Sequence, residues 1–286
     1  MLDRPLTIAS YQGCREVAEA AGGRLDTLAR MADVAREAAG LGARLAVFPE
    51  LYLTGYNIGR AALHTAAEPV DGPAGRRAAA IAAEHRIGLV YGYPERGEDG
   101  RVYNAAQFVG PDGTVLANHR KAHLFGDLDR GTYAPGPGTP ALAELDGARI
   151  GLAICYDVEF PEFVRSLALA GADVVVVPTA LMHPYEFVAR TLVPARAYEN
   201  GCFLAYVNRC ASEGECDYVG LSCVVGPDGG DLARASAQDD ELIVATLEPD
   251  LLAEWRRINT FECDRRPEIY TSLVSTGALR SGDDRA

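Results

Sequence analysis

The order of predicted elements runs through this chain twice, and that duplication limits its fold more than any other feature. In the first half "LTIAS" reads as a strand, and "LDTLARMADVAREAAGLG" as an amphipathic helix halted by Gly40 and Gly42. "ARLAVFPE" is a short buried strand, "GPAGRRAAAIAAEHR" a helix with Pro73 in its first turn, and "IGLVYGY" a further strand. A hairpin follows, with arms "VYNAAQFVG" and "TVLANHRK" joined at the corner "GPDG", Gly110 to Gly113. The second half repeats the order with "ARIGLAIC", "PEFVRSLALAGA" opened by Pro161, "DVVVVPT", "YEFVARTLVPARAYENG" and "CFLAYVN". Pro194 lacks an N–H and must kink or divide its helix. A second hairpin turns on another "GPDG", Gly226 to Gly229.

Alternation of this kind implies sheets covered by helices. Two matched halves predict two similar sheets packed face to face with helices outside, a four-layer α-β-β-α sandwich. The segment between the halves, "GTYAPGPGTPALAELDGA", is rich in Pro and Gly and reads as loop or edge. It is not a boundary between domains, because each half alone would leave a sheet face bare. Residues 1–250 are therefore expected to form a single domain. The tail, 251–286, has apolar residues and no sheet of its own, and is expected to dock on the body or on a partner subunit.

The chain's 286 residues suffice for a substantial core, and its 48% hydrophobic and 23% charged residues are ordinary globular composition. A net charge of -13 argues against nucleic acid, which needs clustered Lys and Arg. No segment is apolar over the length a bilayer requires, and "MLDRPLTIAS" lacks the zones of a secretory signal, so a cytoplasmic protein is expected. The seven cysteines are odd in number and scattered, which fits reduced thiols. Cys210 and Cys216 have neither a matching second pair nor spaced histidines, so no metal is expected.

Three ionisable residues close predicted strands: Glu50 ends "LAVFPE", Lys121 ends "TVLANHRK" and Cys155 ends "IGLAIC". Ligands of open α/β sheets bind beyond the carboxyl ends of strands. Taken singly, Glu50 and Lys121 read as solvated loop residues and Cys155 as a core thiol. Together they can supply a carboxylate, an ammonium and a nucleophile to one site.

"AVFPELYLTGY", "HRKAHLF", "ICYDVEFPE", "VVVVPTA" and "ARAYEN" stand in an order that resembles the nitrilase superfamily of carbon–nitrogen hydrolases, from the first strand to about Pro249. "CYDVEFPE", "MHPYEFVARTLVPARAYEN" and "YVNRCASEGECDYVGLSCVVGPDG" are most similar to bacterial aliphatic and R-stereoselective amidases. The resemblance implies the four-layer fold, no cofactor, a homodimer or larger assembly, and a catalytic set carried by Cys155, Glu50 and Lys121. It also implies hydrolysis of a small amide through a thioester; a nitrilase or an N-carbamoyl amine hydrolase would use the same three residues. Lys121 is expected to lower the pKa of the Cys155 thiol. Lys121 and the backbone N–H of Tyr156 are candidate oxyanion donors.

The family often has a second glutamate shortly after the lysine, whereas "KAHLFGDLDRGTYAPG" has none. Asp129 is favoured for that place and Asp127 is its neighbour; an Asp is expected to reach Lys121 less directly, or through water. Tyr56, Thr179 and Ala180 are candidates for the substrate pocket. His123 lies two residues from Lys121, so a Cys155–His123 pair of the thiol-protease kind is conceivable, though the resemblance weighs against it. His183 and Glu199 read as structural. Asp157 and Glu159, shortly after the nucleophile, either attract a cationic substrate amine or simply face a helix N-terminus.

Overall fold

A computed structural model of the chain describes residues 2–13 and 23–274. The first half comprises β1 (Leu6–Gln12), α1 (Gly23–Gly40), β2 (Leu45–Val47), α2 (Arg60–Ala66), α3 (Pro73–His85), β3 (Gly88–Arg96), β4 (Val102–Val109), β5 (Val115–Arg120) and α4 (Gly126–Arg130). The second comprises β6 (Ala141–Leu145), β7 (Ala148–Leu152), α5 (Pro161–Leu169), β8 (Val174–Pro178), α6 (Val193–Asn200) and β9 (Phe203–Val207). The short pair β10 (Ser212–Glu213) and β11 (Cys216–Asp217) follows, then β12 (Cys223–Val225), β13 (Asp231–Arg234) and β14 (Glu241–Leu247). The chain continues into α7 (Pro249–Ile258) and α8 (Phe261–Asp264).

Two six-stranded sheets result, ordered β14-β1-β2-β3-β4-β5 and β13-β12-β9-β8-β7-β6. In each, three parallel strands, β1-β2-β3 or β7-β8-β9, are flanked by antiparallel ones. Strand period 2 sorts the side chains into layers. Leu6, Ile8, Leu45, Val47, Val174, Val176, Phe203 and Ala205 share the core between the sheets. Their neighbours Ala9, Tyr11, Ala46 and Phe48 pack under Met31, Ala35, Ala78 and Ile81 of α1 and α3. Val175, Val177, Leu204 and Tyr206 pack under Phe163, Leu167, Val193 and Ala197 of α5 and α6. The architecture is the expected α-β-β-α sandwich.

Several expected details take definite form, and one strand pairing was not anticipated. The Pro/Gly-rich segment supplies the edge strand β6, and β14 crosses back to pair with β1 in the other sheet, joining the halves. The helix holding Pro194 is divided: a π-turn at Val188–Leu192 precedes α6, so the missing N–H falls where the hydrogen-bond pattern changes. The first part of the tail docks on the body. Arg256 donates to Asp173 at 3.0 Å and to the carbonyls of Ala172 and Gly201, while Trp255 meets Tyr198 edge-on. No helix among the described residues is long and apolar enough to cross a membrane.

Candidate active site

Glu50, Lys121 and Cys155 do not end their strands. β2 stops at Val47, β5 at Arg120 and β7 at Leu152, and each candidate sits on the turn just beyond. Two of those turns are left-handed, with φ 44° at Cys155 and 49° at Leu51, immediately after Glu50. A non-glycine residue held there is strained and persists only where its surroundings over-determine it. At Leu51 the buried Arg209 guanidinium donates to the carbonyls of Glu50 (3.1 Å) and Leu51 (2.7 Å). Gly92 of β3 lies against the same turn: a β-carbon there would stand 2.2 Å from the Leu51 nitrogen.

The three turns bring their side chains together. Lys121 Nζ lies 2.8 Å from Glu50 Oε1 and 2.6 Å from Asp129 Oδ2, with all three side chains shut off from solvent. Asn104 donates to the same Glu50 oxygen at 2.6 Å, and its carbonyl accepts the backbone N–H of Lys121. Glu50 Oε2 is buried with no hydrogen-bond partner among the described residues. The Ala180 backbone N–H donates to the Cys155 sulfur.

Asp129, on α4, is the second acid; Asp127 is fully exposed and faces Arg130 at 3.7 Å. The direct 2.6 Å contact corrects the expectation of a longer or water-mediated reach. The short helix carries the carboxylate inward, where the Phe125 N–H (3.0 Å) and the Tyr56 hydroxyl (2.9 Å) brace it.

Burial raises the pKa of Glu50, with the Asp129 charge adding to it and Lys121 opposing. Burial by itself would discharge Lys121, but Asp129 and Glu50 together outweigh it and hold the ammonium well above its ordinary pKa. The Cys155 thiol is pushed well up by burial and by Glu50, more than Lys121 and the Ala180 N–H draw it down. Lys121 lowers the thiol's pKa in the expected direction, but burial and Glu50 outweigh it.

Cys155 opens on a shallow cleft lined by Tyr56, Tyr156, Glu159, Ala180, Met182 and Tyr185, among others, with only about 10 Å³ of free space inside. Thr179 is absent from its wall. Its hydroxyl donates to the Val177 carbonyl and its own carbonyl accepts the Glu50 N–H, so it carries the base and does not face a ligand. A larger cavity of about 90 Å³ lies between α6 and the α7–α8 segment, lined by residues such as Arg165, Glu199 and Trp255, and includes none of the candidate residues.

His123 does not pair with Cys155. The strand ends before it, so alternation no longer sets its direction, and it bonds Asp157 Oδ1 at 2.8 Å and stacks on Phe160 at 3.8 Å. Asp157 is not in the cleft: it lies in the first turn of a short 3₁₀ helix, Cys155–Glu159, and its carboxylate caps that helix's N-terminus at Ile154. Fully buried, it accepts from His119, His123, and the backbone N–H groups of Ala122, His123 and Ile154. His183 contacts Glu186 at the surface, and Glu199 pairs with Arg196 at 3.1 Å. Among the described residues no group of three or more His, Cys, Asp and Glu side chains could hold a metal.

Sequence reasoning missed Asn104, Arg209, Gly92 and Asp157 as organisers of this site. A signal exists for two of them: Asn104 is a polar residue inside the apolar strand "VYNAAQFV", and Gly92 interrupts "GLVYGYPER".

The carbon-nitrogen hydrolase family model matches residues 7–257. A relative in Pseudomonas protegens, described as a hydrolase in the 5′ region of pqqF, is 46% identical over 94% of this chain and 92% of its own length. An (R)-stereoselective amidase of a Pseudomonas species is 38% identical over 78% of this chain and 79% of its own. Among solved structures, a double mutant of the amidase from Nesterenkonia sp. AN1 in complex with acrylamide superposes with a TM-score of 0.79 at 31% identity. The match covers 94% of this chain and 97% of that one. A second structure of that amidase, with the same TM-score at 32% identity and the same coverage, shows the acetamide moiety of fluoroacetamide attached at its active-site cysteine.

Proposed function

This chain belongs to the carbon–nitrogen hydrolase family of the nitrilase superfamily, as an amidase acting on non-peptide C–N bonds, and we propose that it hydrolyses small aliphatic or amino-acid-type amides. The reaction runs through a Cys155 thioester. The observation that carries this reading is the buried contact of Lys121 with both Glu50 and Asp129 beside Cys155.

Cys155 rests as a thiol, so its proton must leave as the sulfur attacks. Glu50 is the base: one oxygen is held by Lys121 and Asn104, and Oε2 is left free to accept that proton. The carbonyl oxygen becomes an oxyanion, met by the Lys121 ammonium and the backbone N–H of Tyr156. Glu50 then returns its proton to the departing nitrogen, which leaves as ammonia, and a thioester remains. In the second half Glu50 deprotonates water, which attacks the thioester and releases the acid and the thiol. Asp129 holds Lys121 in place and balances its charge. Tyr56 and Ala180 form the cleft wall beside the sulfur. The confined cleft favours short acyl groups.

A panel of simple amides, nitriles and N-carbamoyl amines, read as released ammonia, tests the reading. Amides are expected to be turned over fastest, Cys155→Ala to release nothing while unfolding as wild type does, and Glu50→Gln to lose on the order of 10²–10⁴ in kcat/KM. Faster turnover of nitriles, or full activity in Glu50→Gln, would overturn it.

A further inference from the structure

One charged side chain stands in the wall of the Cys155 cleft, that of Glu159. Its carboxylate is partly buried and makes no hydrogen bond among the described residues. The nearby Arg196 guanidinium is occupied otherwise. It donates to the carbonyls of Val158 and Glu159, each at 2.9 Å, and to the Glu199 carboxylate at 3.1 Å. Arg196 thus fixes the backbone beneath Glu159 and leaves the carboxylate open to the cleft. Burial raises the Glu159 pKa, opposed by the charges of Lys121 and Arg196.

Four aromatic residues line the same cleft, Tyr56, Phe125, Tyr156 and Tyr185. Phe125 stands edge-on to Tyr156 at 5.3 Å and to Tyr185 at 5.8 Å. Mutually perpendicular rings offer both faces and edges to the enclosed space, and ring faces attract cations, most strongly where water is scarce. No cationic side chain lines the cleft among the described residues, so its wall offers nothing to offset an anionic substrate group.

Resting on the amidase reading above, we propose that this wall is a subsite for a protonated amine close to the scissile carbonyl, so that the enzyme selects amides carrying an ammonium group, as α-amino amides do. Glu159 supplies the countercharge, and Phe125, Tyr156 and Tyr185 the cation–π contacts. Glu159 is a specificity residue and takes no part in bond cleavage.

Alaninamide and isobutyramide test this, because they differ in replacing an ammonium by a methyl group of similar size. Their kcat/KM ratio is measured in wild type and Glu159→Gln at about pH 6.5 and about pH 9, on either side of an α-amino pKa near 8. Ionisations of Glu50 and Cys155 act on both substrates and cancel in the ratio. The expected ratio at the lower pH is about tenfold or more in favour of alaninamide, the scale of one desolvated charge contact. It should fall toward unity in Glu159→Gln, and in wild type at the higher pH. Equal hydrolysis of the two by wild type, or a preference that Glu159→Gln leaves intact, overturns the subsite. Failure of both compounds and of propionamide to release ammonia would overturn the amidase reading, and the subsite with it.

Discussion

At the scale of single residues, the site places one cation between two carboxylates, all three out of water, beside a half-buried thiol that opens on the cleft. Burial and charge together explain its resting state. Burial disfavours a charged sulfur most, and Glu50 adds to it beyond what Lys121 offsets, so a third anion beside the two carboxylates is disfavoured. In the proposed mechanism Cys155 therefore becomes reactive only when Glu50 takes its proton. This fixes the direction of a pH effect. Glu50 has a pKa raised from 4.5, so it becomes protonated, and useless as a base, at a higher pH than an ordinary glutamate. The acid limb of kcat/KM for a simple, non-titrating amide such as propionamide is expected above that value. An acid limb lying below 4.5 would remove Glu50 from the role of base.

At the scale of elements, the precision of the site depends on how three turns are tied together. One carboxylate links two of them: Asp157, just after the nucleophile, holds His119 of β5 and the Ala122–His123 backbone that follows Lys121. Burial raises the Asp157 pKa, but hydrogen bonds from His119 and His123, with the charge of His119, prevail and hold it well below its ordinary value. A depressed folded-state pKa contributes stability above the unfolded value of about 3.9, and that contribution is lost as pH falls through the folded-state value. Asp157→Asn is accordingly expected to cost about 3–5 kcal/mol in urea unfolding at neutral pH, as loss of a buried paired charge does. The difference from wild type should narrow below about pH 4. A constant difference down to low pH would mean that packing, and not the carboxylate charge, holds the two turns.

The alternation of strands and helices was legible because periods 2 and 3.6 are local properties of the chain. Short pieces such as α2, α4 and the β10–β11 pair were not, since a turn or two has little periodicity to read. Glu50 and Cys155 could be singled out because each follows an apolar run, and Lys121 because it closes a predicted hairpin arm. Asp129 was ambiguous with Asp127 until α4 turned one inward and the other out.

At the scale of the whole molecule, two sheets bury a common core that neither half could cover alone. β14 and α7 close it, with β14 completing the first sheet and Leu252 of α7 fully buried among residues of both sheets. Leu252→Ala is expected to destabilise the entire sandwich by about 2–5 kcal/mol in a single cooperative transition. Its kcat/KM should fall far less than that of Glu50→Gln. A separate early transition confined to the C-terminal helix would show instead that α7 is an appendage.

By itself the sequence determined the duplicated architecture, because hydrophobic periodicity dictates which face of each element must leave water. It also placed a thiol, a carboxyl and an amine where strands run out. Only the tertiary structure decided that Asp129 pairs directly with Lys121, that burial and Glu50 push the Cys155 thiol's pKa up, that Thr179 supports Glu50 while Glu159 faces the cleft, and that Asp157 ties two turns together. Those outcomes depend on distances between segments remote in the chain and on burial within the folded body. Coulomb energy and desolvation are functions of that geometry, which no local pattern encodes.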